Sequence, residues 1–204
     1  MSDTSLTSTV ISHGNTSKRL ISFTYDTGNT DSEANEILNV LKKHNVKCTF
    51  FVTGIWAKTF PSLILRILNE GHEIGNHSFD HPDMTKLTYE NMIKTILDGK
   101  NEIKSIAGIN PTLFRIPYGS FNNEVLKSIY SCGYKYNIYW SIDTLDWKLP
   151  SVKFIVSRIL RKPKNGDIIL MHIGGKNTAE ATDIAISNLT KRHFNLVTIS
   201  EILK

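Results

Sequence analysis

Short apolar runs alternate along the chain with longer stretches in which apolar residues recur every three or four positions. The longer stretches predict amphipathic helices; Ile37, Leu38 and Leu41 share one helical face, and Pro61 is well placed to open the next helix. The short runs predict β-strands at residues 20–25, 47–52, 72–74, 113–116, 137–142, 167–171 and 195–199. Such alternation indicates about seven β-α units and a parallel sheet.

An eight-unit (β/α) barrel needs roughly 250 residues, so this chain is shorter than one by about one unit. We therefore predict a single-domain α/β fold, a distorted (β/α) barrel with about seven parallel strands, and keep an open doubly wound sheet as the alternative. Thr30 and Glu33 have the spacing of a capping box, which predicts that the first helix begins near Asp31. Residues 1–18, rich in Ser and Thr, are expected to be a flexible leader before a domain spanning 19–204.

Composition narrows the classes of partner. The net charge is +5, but the basic residues are scattered and no basic stripe carries aromatic residues, so we expect no nucleic-acid partner. No run is long and apolar enough to span a bilayer, and no secretion signal is visible. Two cysteines are too few for a disulfide framework. We expect a monomer, because no exposed apolar helix face stands out.

Polar clusters follow five of the predicted strands, at the end where each strand finishes. In a parallel barrel these ends share one face, so residues that are distant in sequence converge there. The clusters are Tyr25–Gly28, His77–His81, Arg115–Gly119, Asp143–Trp147 and Leu170–His172. Two imidazoles four residues apart, such as His77 and His81, can bind one metal ion. The pair taken alone is equally compatible with ordinary surface histidines.

Taken in order, these clusters resemble the five motifs of polysaccharide deacetylases, the NodB-homology domain of carbohydrate esterase family 4. The resemblance runs from about Arg19 to Leu203 and includes the stretches Thr49–Gly54 and Gly71–Asn76. It implies a distorted (β/α) barrel that removes acetyl groups from N-acetylated sugars in peptidoglycan, chitin and related polymers. It also implies an extracytoplasmic or cell-envelope location, although this chain shows no export signal.

The resemblance further implies how the amide bond is attacked. His77 and His81 match the family's metal-binding histidines, with zinc expected and cobalt, nickel or manganese as alternatives. Asp26 matches the catalytic base that takes the proton of the attacking water. Arg115 matches the arginine that pairs with this aspartate and would keep it ionised.

The same resemblance assigns the other side of the site. His172 matches the general acid that protonates the leaving amine, and Asp146 matches the carboxylate that orients this histidine and raises its pKa. The backbone N–H of Tyr118 matches the group that stabilises the oxyanion. Trp147 and Leu170 match the wall of the sugar groove and the pocket for the acetyl methyl group.

One position departs from the family pattern. The first motif carries two adjacent aspartates, and the second, a metal ligand, is Thr27 here. A hydroxyl binds a divalent cation far more weakly than a carboxylate does. We expect an active, metal-assisted deacetylase, because every other role is filled. A catalytically impaired carbohydrate-binding protein, a metal-poor hydrolase relying on Asp26, Arg115 and His172, and cleavage of small cyclic or formyl amides remain as alternatives.

Overall fold

The structure is a computed structural model, and it describes residues 6–204. Within this range the strands are β1 (Thr9–Ile11), β2 (Leu20–Asp26), β3 (Thr49–Val52), β4 (Glu73–Asn76), β5 (Tyr136–Ile138), β6 (Ile142–Asp143), β7 (Asp167–His172) and β8 (Asn195–Leu196). The α-helices are α1 (Ala34–Lys43), α2 (Gly54–Thr59), α3 (Pro61–Asn69), α4 (Tyr89–Ala107), α5 (Asn123–Ser131), α6 (Val152–Leu160), α7 (Thr178–Lys191) and α8 (Ile199–Ile202). None of these helices is both long and apolar enough to cross a membrane.

The strands form a distorted parallel barrel, which confirms the predicted fold class. The order β4-β3-β2-β7-β6 is parallel throughout, and β8 pairs with the first residues of β2. Phe114 bridges Asn76 at the end of β4 and Asn137 in β5, and β5 leads along the chain into β6. The predicted strand at residues 113–116 was wrong in extent, because only these bridges form there.

Alternation along the strands fills both faces of the barrel wall. In β3, Phe50 packs in the large core between the wall and the helices. The next residue, Phe51, belongs to a separate cluster with Ile138 and Ile168, to which α8 contributes Ile199 and Ile202. Since successive strand side chains point to opposite faces, this second cluster fills the barrel interior. The wall is therefore packed from both sides, as parallel strands require.

Two local predictions were wrong. Residues of the expected flexible leader form β1, which pairs in parallel with β5, and Ser8 donates a hydrogen bond to the carbonyl of Tyr134 at 2.5 Å. Residues 1–5 lie outside the described part of the chain. The helix expected near Asp31 begins at Ala34, because the carboxylate of Glu33 binds another part of the chain instead of closing a capping box.

Because the strands are parallel, the loops that follow their carboxyl ends lie on one side of the barrel. Eight non-glycine residues of the described chain have positive φ, and six of them lie in these loops. They are Ser78, His81, Tyr118, Leu145, Leu149 and Asn177, with φ between 55° and 72°. Each such conformation costs on the order of 1 to 3 kcal/mol and persists only where surrounding contacts hold it. Backbone strain is thus concentrated on the face where the sequence predicts chemistry.

Candidate active site

The site begins with a buried ion pair at the end of β2. Arg115, whose side chain is completely buried, donates to Oδ1 of Asp26 at 2.7 Å and to Oγ1 of Thr24 at 2.8 Å. Its other donors bind the carbonyls of Ile138 and Tyr139 at 3.0 and 3.1 Å. Burial alone would raise the pKa of Asp26, but the charge and hydrogen bond of Arg115, together with the nearby His77 and His172, hold the pKa below its usual range. Asp26 is therefore an ionised carboxylate at neutral pH.

The predicted metal ligands His77 and His81 lie beside this carboxylate. Nδ1 of His77 is 2.8 Å from the carbonyl oxygen of Arg115. Since a carbonyl can only accept, Nδ1 carries the proton, and the lone pair of Nε2 faces Oδ2 of Asp26 at 3.5 Å. Burial lowers the pKa of His77 to about 4 and also lowers that of His81. The rings of the two histidines, 4.9 Å apart between centroids, are therefore neutral imidazoles at neutral pH.

His172, at the end of β7, is the register partner of Asp26 on the neighbouring strand. Its Nδ1 binds Oδ1 of Asp146 at 2.8 Å, and its backbone N–H donates to Oδ2 of the same carboxylate at 2.7 Å. Burial alone would lower the pKa of His172, but the hydrogen bond to Asp146 and the charge of that carboxylate raise it above the usual value. The raised pKa favours the imidazolium form of His172, opposite the ionised carboxylate of Asp26.

These groups surround a pocket of about 340 Å³. Seven of the nine predicted site residues line it: Asp26, His77, His81, Tyr118, Trp147, Leu170 and His172. The other two, Arg115 and Asp146, lie behind it and contact the proposed base and acid directly. Trp147 and Tyr118 are 53% and 65% exposed and form the rim, whereas Leu170 is buried in the wall. The structure therefore brings all nine residues into one region.

Sequence reasoning missed part of the lining. Trp140 and Ile116 add apolar surface, and Asp143, which the sequence marks only as part of a polar cluster, also faces the pocket. Oδ1 of Asp143 accepts the N–H of Leu145 at 2.8 Å, so it also shapes the loop that carries Asp146. Trp140 stacks on Tyr139, with ring centroids 4.0 Å apart. Trp140 lies inside the strand predicted at residues 137–142, near its carboxyl end, and this position was the available signal.

Comparison with known proteins identifies the family that shares this arrangement. The family model for polysaccharide deacetylase matches residues 13–137, which is more than half of the 204-residue chain. The chain belongs to the polysaccharide deacetylase family. The described barrel agrees with that membership.

Two curated members of this family act on peptidoglycan according to their names. The peptidoglycan-N-acetylmuramic acid deacetylase PdaC of Bacillus subtilis is 37% identical over 186 residues, covering 91% of this chain and 39% of PdaC. The peptidoglycan-N-acetylglucosamine deacetylase PgdA of Listeria monocytogenes is 38% identical over 187 residues, covering 92% of this chain and 39% of PgdA. This polysaccharide deacetylase chain thus spans about two fifths of the length of both relatives.

A solved structure from the family is similar over nearly the whole chain. It is a pseudoenzyme of carbohydrate esterase family 4 from Bacillus anthracis, with a TM-score of 0.92 and 32% identity. The match covers 98% of this chain and 70% of that one. A mutant of the pseudoenzyme with restored enzymatic activity has the same TM-score and is 33% identical. The same fold therefore accommodates both an active and an inactive site.

The donor atoms of this polysaccharide deacetylase fit a divalent cation through the two histidines. Neutral imidazole is a preferred ligand of zinc, and the free Nε2 of His77 faces the carboxylate side of the pocket. At the third position Thr27 offers a hydroxyl in place of a carboxylate. The oxygen of this hydroxyl already accepts the N–H of Thr53 at 3.0 Å. Across residues 6–204 no group of three His, Cys, Asp or Glu side chains is arranged to hold a metal. We therefore expect a weaker cation site than one with a third carboxylate.

Proposed function

We propose that this chain hydrolyses the N-acetyl amide of N-acetylglucosamine or N-acetylmuramic acid units in a cell-wall polysaccharide, assisted by a divalent cation. The names of PdaC and PgdA support this substrate class, since those relatives act on one or the other of these sugars in peptidoglycan. The residues around the pocket support the reaction class, because they supply a base, an acid and apolar surface for a sugar.

One observation carries the proposal. Asp26 and His172 are register partners on adjacent parallel strands, so both side chains reach the same pocket from the same end of the barrel. Their environments move the two pKa values in opposite directions, that of Asp26 downwards and that of His172 upwards. Such a pair supplies one group that can accept a proton and one that can donate a proton at the same pH.

The reaction follows from these two protonation states. Asp26 accepts a proton from the attacking water, whose oxygen bonds to the amide carbon. The backbone N–H of Tyr118 donates to the oxyanion that develops on the carbonyl oxygen. His172 then donates its proton to the amide nitrogen as the C–N bond breaks, which leaves acetate and a free amine. A cation held by His77 and His81 would polarise the carbonyl and lower the pKa of the water.

The apolar lining determines how the substrate is oriented. Leu170 is buried in the pocket wall and presents a surface that suits the acetyl methyl group. Trp147 is exposed at the rim, where Nζ of Lys148 lies 4.9 Å from the centroid of its ring. The remaining exposed surface of the indole suits the apolar face of a sugar ring. Together they would position the amide between Asp26 and His172.

Acetate release from N-acetylated peptidoglycan tests the proposal. The measurement compares wild-type protein, Asp26→Asn and Asp31→Asn, each with added zinc and with a chelator. Asp31 is a matched control, because it lies in the loop that follows Asp26 and does not line the pocket. We expect release by the wild type and by Asp31→Asn, and a loss of at least about a hundredfold in Asp26→Asn. Equal release by all three proteins would contradict the role of Asp26 as the base.

A second candidate function is favoured by Thr27. Its hydroxyl is engaged by Thr53, and a pseudoenzyme of the same family has a closely similar fold. A site that binds no cation could retain the groove and bind N-acetylated glycans without hydrolysing them. Isothermal calorimetry with peptidoglycan fragments distinguishes the two functions. Saturable binding with no acetate release at any zinc concentration would favour the binding protein over the enzyme.

A further inference from the structure

The side chain of Glu33 links the loop after β2 to the loop after β7. Its carboxylate accepts the backbone N–H of Asn177 and that of Ala179, each at 2.7 Å, one on each oxygen. Its own backbone N–H donates to the carbonyl of Ile173 at 3.2 Å. Two hydrogen bonds therefore fix the start of α7, and a third fixes the residue after β7, to the segment that follows the proposed base Asp26.

Thr178 lies between the two N–H groups that Glu33 holds. It is completely buried, and its hydroxyl donates to Oδ2 of Asp146 at 2.8 Å. Asp146, also completely buried, accepts three more hydrogen bonds, two from His172 and one from the N–H of Trp147 at 3.0 Å. A Cβ atom at Gly175 would lie 2.5 Å from Oγ1 of Thr178 and 2.9 Å from Oδ2 of Asp146. Neither side chain has room to move towards that loop.

We propose that Glu33 is a positioning residue that couples the loop following Asp26 to the acid His172, through Thr178 and Asp146. This inference rests on the proposed function. Neither Glu33 nor Thr178 lines the pocket, so both act through Asp146 and not on substrate. An ordinary helix cap would stabilise α7 alone. In this chain the two capped N–H groups flank the one residue of α7 that binds the carboxylate partner of the acid.

Glu33→Gln tests the coupling, because glutamine has the same shape but only one acceptor oxygen for two N–H groups. Glu36→Gln is the matched control, since Glu36 is exposed in the first turn of α1, the helix that Glu33 precedes. For Glu33→Gln we expect kcat for acetate release to fall by about tenfold with KM changed less than about twofold, the signature of a misplaced catalytic group. Glu36→Gln should match the wild type.

A second measurement needs no substrate. The charged and titratable groups acting on His172 are Asp146, Asp26, Asp143 and His81. The carboxylate of Glu33 is hydrogen-bonded to the backbone of Asn177 and Ala179 and not to the imidazole ring. Glu33→Gln should therefore lower the pKa of His172, followed by NMR, only by loosening the hold of Asp146 on the ring. An unchanged pKa together with unchanged kcat would overturn the proposal. If the wild type itself released no acetate, the proposed function would fail, while this titration would still decide the coupling.

Thr178 provides a second pair of variants in case Glu33→Gln does not fold. Thr178→Val removes the hydroxyl that binds Asp146 and keeps the volume of the side chain, whereas Thr178→Ser keeps the hydroxyl. We expect Thr178→Val to lose on the order of tenfold in kcat, and Thr178→Ser to lose clearly less. A loss in Thr178→Ser with none in Thr178→Val would show that packing at this position matters and the hydrogen bond does not, which contradicts the proposed coupling.

Discussion

Replacing Arg115 by methionine should destabilise the fold as well as abolish activity. The guanidinium is completely buried and donates to Asp26, Thr24 and two backbone carbonyls. It also lies 4.1 Å from the ring centroid of Phe51, so its packing is apolar as well as polar. Methionine can occupy much of this space but offers no donor and no charge. The variant leaves the carboxylate of Asp26 buried without its cation.

Two independent estimates give the same loss in the free energy of unfolding for Arg115→Met. Removing one partner of a buried ion pair typically costs about 3 to 5 kcal/mol. Alternatively, Asp26 can escape by taking up a proton. For a carboxyl with a reference pKa near 4, protonation at pH 7 costs about 4 kcal/mol, at 1.36 kcal/mol per unit. We therefore expect the free energy of unfolding to fall by about 4 kcal/mol, since protonation of Asp26 sets an upper limit on the cost of its unpaired charge.

Urea unfolding at neutral pH with a chelator present measures this effect without a contribution from metal. With a slope of roughly 2.5 kcal/mol per molar urea, 4 kcal/mol moves the midpoint by about 1.6 M. Arg66→Met is the control, because Arg66 is partly exposed in its pair with Glu70 and should cost less than about 1 kcal/mol. Adding Asp26→Asn to Arg115→Met should restore about 2 kcal/mol, since the unpaired charge is gone. A double variant no more stable than Arg115→Met would refute the ion-pair argument.

Three further predictions concern the metal, the acid and the substrate. Thr27→Asp should bind zinc at least about tenfold more tightly than the wild type in calorimetry, whereas the neutral isostere Thr27→Asn should not. Acetate release should decline as the pH rises through the raised pKa of His172, because the acid must be protonated, and Asp146→Asn should move this decline to lower pH in a pH–rate profile. Trp147→Ala should raise KM by about tenfold with kcat nearly unchanged, whereas Phe154→Ala, an exposed aromatic outside the pocket, should leave KM unchanged.

The main strands could be predicted because they depend on short sequence patterns. The convergence of the site residues could be predicted for the same reason. β7 carries an apolar run that ends in His172, which is how a buried parallel strand reads in sequence. In β2 apolar residues alternate with Ser22 and Thr24 before the strand ends in Asp26, which is the period of a strand. Once the strands are parallel, their polar ends must meet at one face of the barrel. The roles of Arg115 and Asp146 came from the family resemblance, and the structure places them behind the proposed base and acid.

The features that could not be predicted depend on partners distant in sequence. The strand β1 has only three residues, and its stability comes from pairing with Tyr136–Ile138, which no local pattern around Thr9 reveals. The carboxylate of Glu33 fits a capping box by spacing, but its partners lie 144 and 146 residues away. Glu33 could accept a hydrogen bond from the backbone of its own helix terminus or from distant backbone N–H groups. The packed structure decides between these partners.

The hydroxyl of Thr27 illustrates why such long-range partners matter for chemistry. Its oxygen accepts the N–H of Thr53, whose own side chain caps α2 by accepting the N–H of Trp56 at 3.2 Å. A carboxylate at position 27 would sit next to the buried carboxylate of Asp26, and two buried negative charges require more positive charge than Arg115 alone provides. A neutral hydroxyl satisfies the same N–H with no such requirement. The protein can therefore fold around Asp26 and Arg115 without a cation, so the cation that we propose would serve catalysis and not folding.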